Sequence, residues 1–170
     1  MKYSIKPLGA DHDRSAFCCG KDLLDNYITK QAKQDMKRRL SVVFVMTAND
    51  NEKEVIGYYT LSNDGIHKKY VPEDISKKLP PSYESLPVTL LGRLAVDKKY
   101  QGNNLGETLL IDALKKCSET SKTEMGSFAV IVDPLDKEAI SFYEQYGFIH
   151  VPDRGRMFLP MKTIDQLFSA

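Results

Sequence analysis

The chain has 170 residues, an apolar share of 42%, a charged share of 28% and a formal net charge of +1. This is the make-up of one ordinary compact domain, expected to span residues 1–170, and it excludes fibrous and disordered classes. No bulk positive field is available to attract nucleic acid, so such a partner would have to be held by local patches. The first elements are legible in chain order. "KYSIKPL" alternates as a short strand ending near Pro7. "CGKDLLDNYITKQAKQDMKRRL" follows as a helix, with Leu23, Leu24, Tyr27, Ile28 and Ala32 near a 3.6-residue period.

"SVVFVMTA" is β-branched and aromatic, a buried strand. "NDNEKE" has the composition of a hairpin loop, and "VIGYYTLSNDGI" is the returning strand. Residues 67–87 carry four prolines without a clean period, an excursion with one short helix near Pro72. "VTLLGRLAVD" is apolar apart from Arg93, so a central strand covered on both faces is expected. A helix begins near Leu105, with Leu105, Leu109, Ala113 and Cys117 as its stripe, widened by Leu110 and Leu114. "SFAVIVDP" is a buried strand, and "DKEAISFYEQYGF" is a short helix stopped at Gly147. "FIHV" and "GRMFLPMK" close the chain as two short strands. Strands that first pair by hairpin and then alternate with helices give an α/β (α+β) class with a mixed sheet.

Cys18, Cys19 and Cys117 are odd in number and form neither a disulfide framework nor a zinc spacing. Buried reduced thiols, and hence a cytoplasmic protein, are expected. His12, His67 and His150 share no metal or triad spacing, so no metal is expected. The N-terminal stretch lacks the apolar core of a signal peptide, and no run is long enough to span a membrane.

"YQGNNLGETLL" raises the central question. Two glycines and two asparagines precede a helix, which suits either a phosphate-cradling loop or a plain helix entry. Framed by its neighbours, the stretch becomes more specific. "LLGRLAVDKKYQGNNLGETLLIDAL" followed by "AVIVDPLDKEAISFYEQYGF" resembles the GNAT family of acetyl-CoA-dependent N-acetyltransferases. It is closer still to the GNAT toxins of bacterial toxin–antitoxin modules. These share the block seen here as Phe17, Cys19, Gly20, Leu24, Asp25 and Tyr27, and also "VIGYYTL", "FYEQYGF" and "MFLPMK".

The resemblance implies a single-domain GNAT fold, with helices flanking a mixed central sheet in which a central strand pair splays. It implies acetyl-CoA as cosubstrate, with the pyrophosphate on Gln101, Gly102, Asn103, Asn104, Leu105 and Gly106. Asn104 stands where the pattern takes Gly, and Asn is the residue after Gly that most readily accepts positive φ; a left-handed Asn104 is therefore expected. The backbone of Leu94, Ala95 and Val96 is implied to hold the pantetheine arm, and Phe142 to pack on the cofactor. Tyr143 is implied as the general acid that protonates the leaving thiolate. Asp136 stands where many relatives carry a CoA-contacting Asn; it is also a natural helix N-cap.

Glu107, Glu138 and Glu144 read as solvated helix residues, leaving no obvious base. An α-amine, with a pKa near ~7.7–8.0 against ~10.4 for lysine, is the easier acceptor without one. Lys30, Lys33 and Lys37 recur at helical spacing, followed by Arg38 and Arg39. They are either a substrate-phosphate face or a solvated surface. Arg93 is either a phosphate anchor or half of an ion pair. The toxin relatives imply aminoacyl-tRNA as substrate, a ribbon-helix-helix antitoxin as partner and a homodimer. The alternatives are a GNAT enzyme for a small-molecule or protein amine, which the near-neutral charge suits, and a non-catalytic CoA-binding module.

Overall fold

A computed structural model of the chain describes residues 2–152 and 154–169. Seven strands form one mixed sheet in the order β1-β2-β3-β4-β5-β7-β6. They are β1 Tyr3–Pro7, β2 Val42–Ala48, β3 Gly57–His67, β4 Ser85–Val96, β5 Ala129–Val132, β6 Ile149–His150 and β7 Met157–Pro160. β4 and β5 pair in parallel, while the β1–β2, β2–β3, β5–β7 and β6–β7 ladders are antiparallel. The helices are α1 Asp22–Asn26, α2 Ala32–Lys37, α3 Glu73–Ser76, α4 Leu105–Thr123, α5 Lys137–Gln145 and α6 Met161–Phe168. No helix is long and apolar enough to cross a membrane among the described residues. The chain forms two compact units, residues 1–62 with 92–113, and residues 63–91 with 114–170.

In the first unit, α1 and α2 are joined by a π-helical turn, Tyr27–Gln31. The Ala32 N–H reaches back to the Tyr27 carbonyl, which widens the turn while Tyr27, Ile28 and Ala32 stay buried. The expected continuous helix is thus two short α pieces around a bulge. An aromatic column fills the space beneath: Phe17 meets Tyr58 edge-on at 5.5 Å, and Tyr58 stacks on Tyr27 at 6.2 Å. Polar ends are satisfied, as the Tyr58 hydroxyl donates to the Leu24 carbonyl (2.7 Å) and the Tyr27 hydroxyl to Asp35 (2.9 Å). α2 ends in a Schellman motif, with the Arg39 N–H on the Met36 carbonyl and the Leu40 N–H on the Asp35 carbonyl. Arg39 therefore occupies the left-handed position, φ 60°, where glycine is usual.

In the second unit, Ile66, Val71, Leu86, Val88, Ala129, Ile131, Val151 and Phe158 make one core cluster. The 67–87 excursion contributes to it through Val71 and the half-buried Tyr70, Ile75 and Leu79. Arg156 clamps two carboxylates, Asp133 at 2.7 Å and Asp64 at 2.6 Å. The chain closes on α6 rather than on a strand, a correction to the reading of "GRMFLPMK". β7 stops at Pro160, which has no N–H to continue a ladder and caps the helix that buries Met161 and Ile164.

Two further expectations need adjustment. Cys19 and Cys117 are buried, but Cys18 is exposed. β4 is central, yet only Leu86, Val88, Leu91 and Ala95 are buried along it; Leu90, Arg93, Leu94 and Val96 are half-covered. Its pairing with β5 ends at Leu91 opposite Val132, while β4 continues to Val96. The stripe of α4 (Leu105, Leu109, Leu110, Ala113, Leu114 and Cys117) is buried as expected.

Candidate active site

In the first unit, β4 delivers the chain into a tight turn at residues 98–100 and then into the loop before α4. Asp97, only 3% exposed, organises this turn. One of its oxygens accepts the Lys99 N–H at 2.9 Å, and the other accepts the Cys18 N–H at 3.1 Å. The Lys98 N–H returns a bond to the Cys18 carbonyl at 2.8 Å. Gln101 adds a second strut, its side-chain amide donating to the carbonyls of Cys19 (3.0 Å) and Val96 (2.9 Å). Asp25 in turn accepts the Cys19 N–H at 2.7 Å. The "FCCGKDLLD" block is therefore a backing plate for the loop. Sequence reasoning missed Asp97. Its signal was an acidic residue ending an apolar strand just before "KKYQG", the usual place for a turn cap.

The loop itself has two left-handed residues, Gly102 at φ 87° and Asn104 at φ 59°. The expected positive φ at Asn104 is present. An Asn just before a helix ordinarily caps it by accepting an N–H from the second or third helical residue. Left-handed Asn104 makes no such bond among the described residues, and its carbonyl accepts Thr108 Oγ1 at 3.2 Å instead. The N–H groups of Gly102, Asn103 and Asn104 also have no acceptor in the chain among the described residues. The consequence is a row of backbone donors at the positive end of the long helix α4, a site chemically suited to an anion such as pyrophosphate.

Arg93 lies 3.6 Å over the ring of Tyr27. No carboxylate pairs with it among the described residues, so it makes a cation–π stack rather than the ion pair considered from sequence. Lys30, Lys33 and Lys37 are all exposed. Leu94 and Val96 are half-buried and Ala95 is buried. Burial, reinforced by Asp25, pushes the Cys19 thiol up to about 12, which makes it unreactive at neutral pH.

In the second unit, Asp136 caps α5 by accepting the Ala139 N–H at 2.9 Å. α5 ends in a second Schellman motif: the Gly147 N–H bonds the Glu144 carbonyl, and the Phe148 N–H bonds that of Tyr143. Gly147 sits at φ 90°, a conformation that resists side chains. The motif also brings the Phe148 ring to 5.1 Å from that of Tyr143, with Phe142 on another side at 5.2 Å. This explains the spacing in "FYEQYGF": the glycine and last phenylalanine lock the tyrosine. Tyr143 is 7% exposed, and its hydroxyl has no hydrogen-bond partner in the chain among the described residues. The hydroxyl oxygen is not fully enclosed, because no wholly buried side-chain oxygen among the described residues lacks a partner. Burial raises its pKa well above the usual phenol range, so it carries a proton at any physiological pH. Tyr146 is instead the helix C-cap, packed against Phe142 at 5.1 Å. Glu107, Glu138 and Glu144 are exposed.

Residues 39–150 match the acetyltransferase (GNAT) domain family. The chain belongs to the GNAT family of N-acetyltransferases. Among GNAT relatives, it is 34% identical to a protein described as probable toxin TacT from Sinorhizobium fredii, over 98% of this chain and 95% of that one. It is also 34% identical to a tRNA-acetylating toxin of Mycobacterium tuberculosis, over 88% and 87% respectively. Among solved structures it resembles a Tyr-to-Phe mutant of KacT, with a TM-score of 0.91 and 29% identity over 99% of this chain and 100% of that one. AtaT in complex with acetyl-methionyl-tRNAfMet gives 0.89 and 29% over the same shares. Related structures hold the AtaTR complex with acetyl-CoA and AtaT with the C-terminus of the antitoxin AtaR.

Proposed function

We propose that this GNAT enzyme is a toxin that transfers acetyl from acetyl-CoA to the α-amine of aminoacyl-tRNA, which blocks translation in the cytoplasm. The observation that carries the catalytic half is the proton-bearing hydroxyl of the buried Tyr143, which has no hydrogen-bond partner among the described residues. The acceptor assignment rests on the tRNA-acetylating relatives that align along most of the chain.

Acetyl-CoA, when bound, supplies an activated thioester. Gly102, Asn103, Asn104, Leu105 and Gly106 are the residues to hold its pyrophosphate, through backbone N–H groups at the start of α4. Gln101 shapes that loop from behind. Leu94, Ala95 and Val96 offer backbone along the stretch of β4 beyond its pairing with β5, and Phe142 offers an apolar face. Asp136 contributes by capping α5, the helix that carries Phe142 and Tyr143. Tyr143 holds a proton for a leaving thiolate, and its role here is donation, since the buried hydroxyl is protonated at neutral pH and is not available as a base. Lys30, Lys33, Lys37 and Arg93 supply positive charge for the tRNA backbone. A homodimer and a ribbon-helix-helix antitoxin complete the proposed assembly.

The direct test supplies purified protein with labelled acetyl-CoA and separately charged tRNAs. Label should appear on the aminoacyl group of at least one. Transfer to polyamines or peptide N-termini with none to charged tRNA would replace the acceptor assignment.

A further inference from the structure

We propose that a pocket beside the π-turn of the first unit seats one phosphodiester of an RNA strand. The pocket has a volume of about 230 Å³, with His12, Arg14 and Lys33 among its lining and Leu8, Gly9 and Met36 as walls. Among the described residues no carboxylate lines it, although Asp11 and Asp13 stand in the same loop. Asp13 is turned to its own neighbour, accepting from the Ser15 N–H and hydroxyl.

The bulge explains how a guanidinium comes to be fixed there. The Ala32 N–H goes to Tyr27, passing over Ile28, and the Ile28 carbonyl accepts Arg14 Nη1 at 3.0 Å. One prong of the Arg14 fork is thus anchored, and its other N–H groups have no acceptor in the chain among the described residues. His12 is oriented in the same way: its Nδ1 accepts the Gly9 N–H at 2.9 Å, leaving Nε2 as the donor. Lys33 has no acidic partner among the described residues. A fixed guanidinium and a fixed imidazole donor beside an ammonium, with no acidic partner among the described residues, make a site for an external anion. A planar fork beside a flexible ammonium suits phosphate. The Leu8 and Met36 walls would take the apolar edge of the attached sugar, which favours a phosphodiester of a strand over a free ion.

The proposal rests on an RNA-bound acceptor, so its test reads binding rather than turnover. The full-length protein is titrated with a fluorescently labelled RNA hairpin of acceptor-stem length over a series of salt concentrations. Lys33→Ala and Arg14→Gln should each weaken binding roughly 5- to 20-fold and lower the slope of log K against log salt by about one. Lys53→Ala removes the same charge from the β2–β3 loop and is the control. Because Arg14 holds the bulge, the exposed Lys33 provides the variant free of folding effects.

Unchanged affinity and slope in Lys33→Ala would overturn the proposal. So would saturable binding of inorganic phosphate or AMP that leaves RNA affinity untouched, or binding of an acidic peptide there in place of RNA. If RNA binding falls in Lys33→Ala but wild type acetylates no charged tRNA, the pocket stands and the acceptor assignment fails. Acetylation of charged tRNA with RNA affinity and slope unaltered in the variant would remove the pocket, and Lys33 from the backbone contacts, while the acceptor assignment stands.

Discussion

Asn104 offers a direct measurement of what the loop conformation is worth. Its φ of 59° lies in the left-handed region, and its own side chain makes no hydrogen bond among the described residues. An ordinary L-residue in this region costs roughly 1–2 kcal/mol. Asn recovers part of that, and Gly has no such penalty. Asn104→Ala should therefore lose about 1 kcal/mol, and Asn104→Val somewhat more because branching at Cβ stiffens it. If the free loop keeps its shape, the loss appears in folding stability. If it relaxes without ligand, the same energy reappears as a roughly fivefold weaker Kd for acetyl-CoA. Denaturant melts and calorimetric titration of the same variants measure both parts, and their sum is the predicted quantity. Asn104→Gly should match or exceed wild type in that sum. Equal values for Gly, Ala and Val would show that the left-handed turn has no bearing on the site.

Other expectations follow from single contacts. Tyr143→Phe should leave stability and acetyl-CoA affinity intact, since its hydroxyl bonds nothing among the described residues, while lowering kcat by about 10²–10⁴; equal turnover would remove Tyr143 from catalysis. Arg39→Gly should raise stability by about 0.5–1 kcal/mol by relieving the left-handed position that ends α2, as read from a denaturant midpoint at unchanged m-value. Asp64 is partly buried, which alone would raise its pKa, but bonds from Arg156 and the Gly65 N–H outweigh this and lower it. Its contribution is present above the unfolded value near ~3.9 and is lost as pH falls through the lower folded value. The stability difference between wild type and Asp64→Asn should accordingly be constant near neutrality and shrink below about pH 4.

What was legible from sequence depended on whether one period or one local rule decided the outcome. The α4 stripe followed from spacing alone, and the left-handed Asn104 from the conformational latitude of Asn. Gly147 marked a helix end, and the structure shows why Phe148 accompanies it. The π-turn left no such mark. No Gly or Pro interrupts "NYITKQAK", and the extra residue is absorbed by Arg14 bonding the Ile28 carbonyl from far along the chain. α6 was missed because "MFLPMK" reads as strand, although Pro160 and the apolar Met161, Ile164 and Phe168 signalled a change of period. For Arg93, an apolar strand suggested a charge partner, and the partner is an aromatic face supplied by a distant helix.

The loop's backing plate leads to a last prediction about coupling. Asp97 and Gln101 hold neighbouring backbone groups, the N–H of Cys18 and the carbonyl of Cys19. Losing the buried Asp97 carboxylate in Asp97→Ala removes two charge-assisted bonds and should cost about 3 kcal/mol. Gln101→Leu removes two bonds near the surface, about 1 kcal/mol in all. Since each strut keeps residues 18–19 in place for the other, the double variant should lose less than the sum, by more than the ~0.3–0.5 kcal/mol seen for independent sites. The same non-additivity should appear in the Kd for acetyl-CoA if "FCCGKDLLD" preorganises the phosphate loop rather than merely filling space behind it. Strictly additive losses in both measurements would mean that the two struts act separately. In that case the N-terminal block would stabilise the fold without tuning the site.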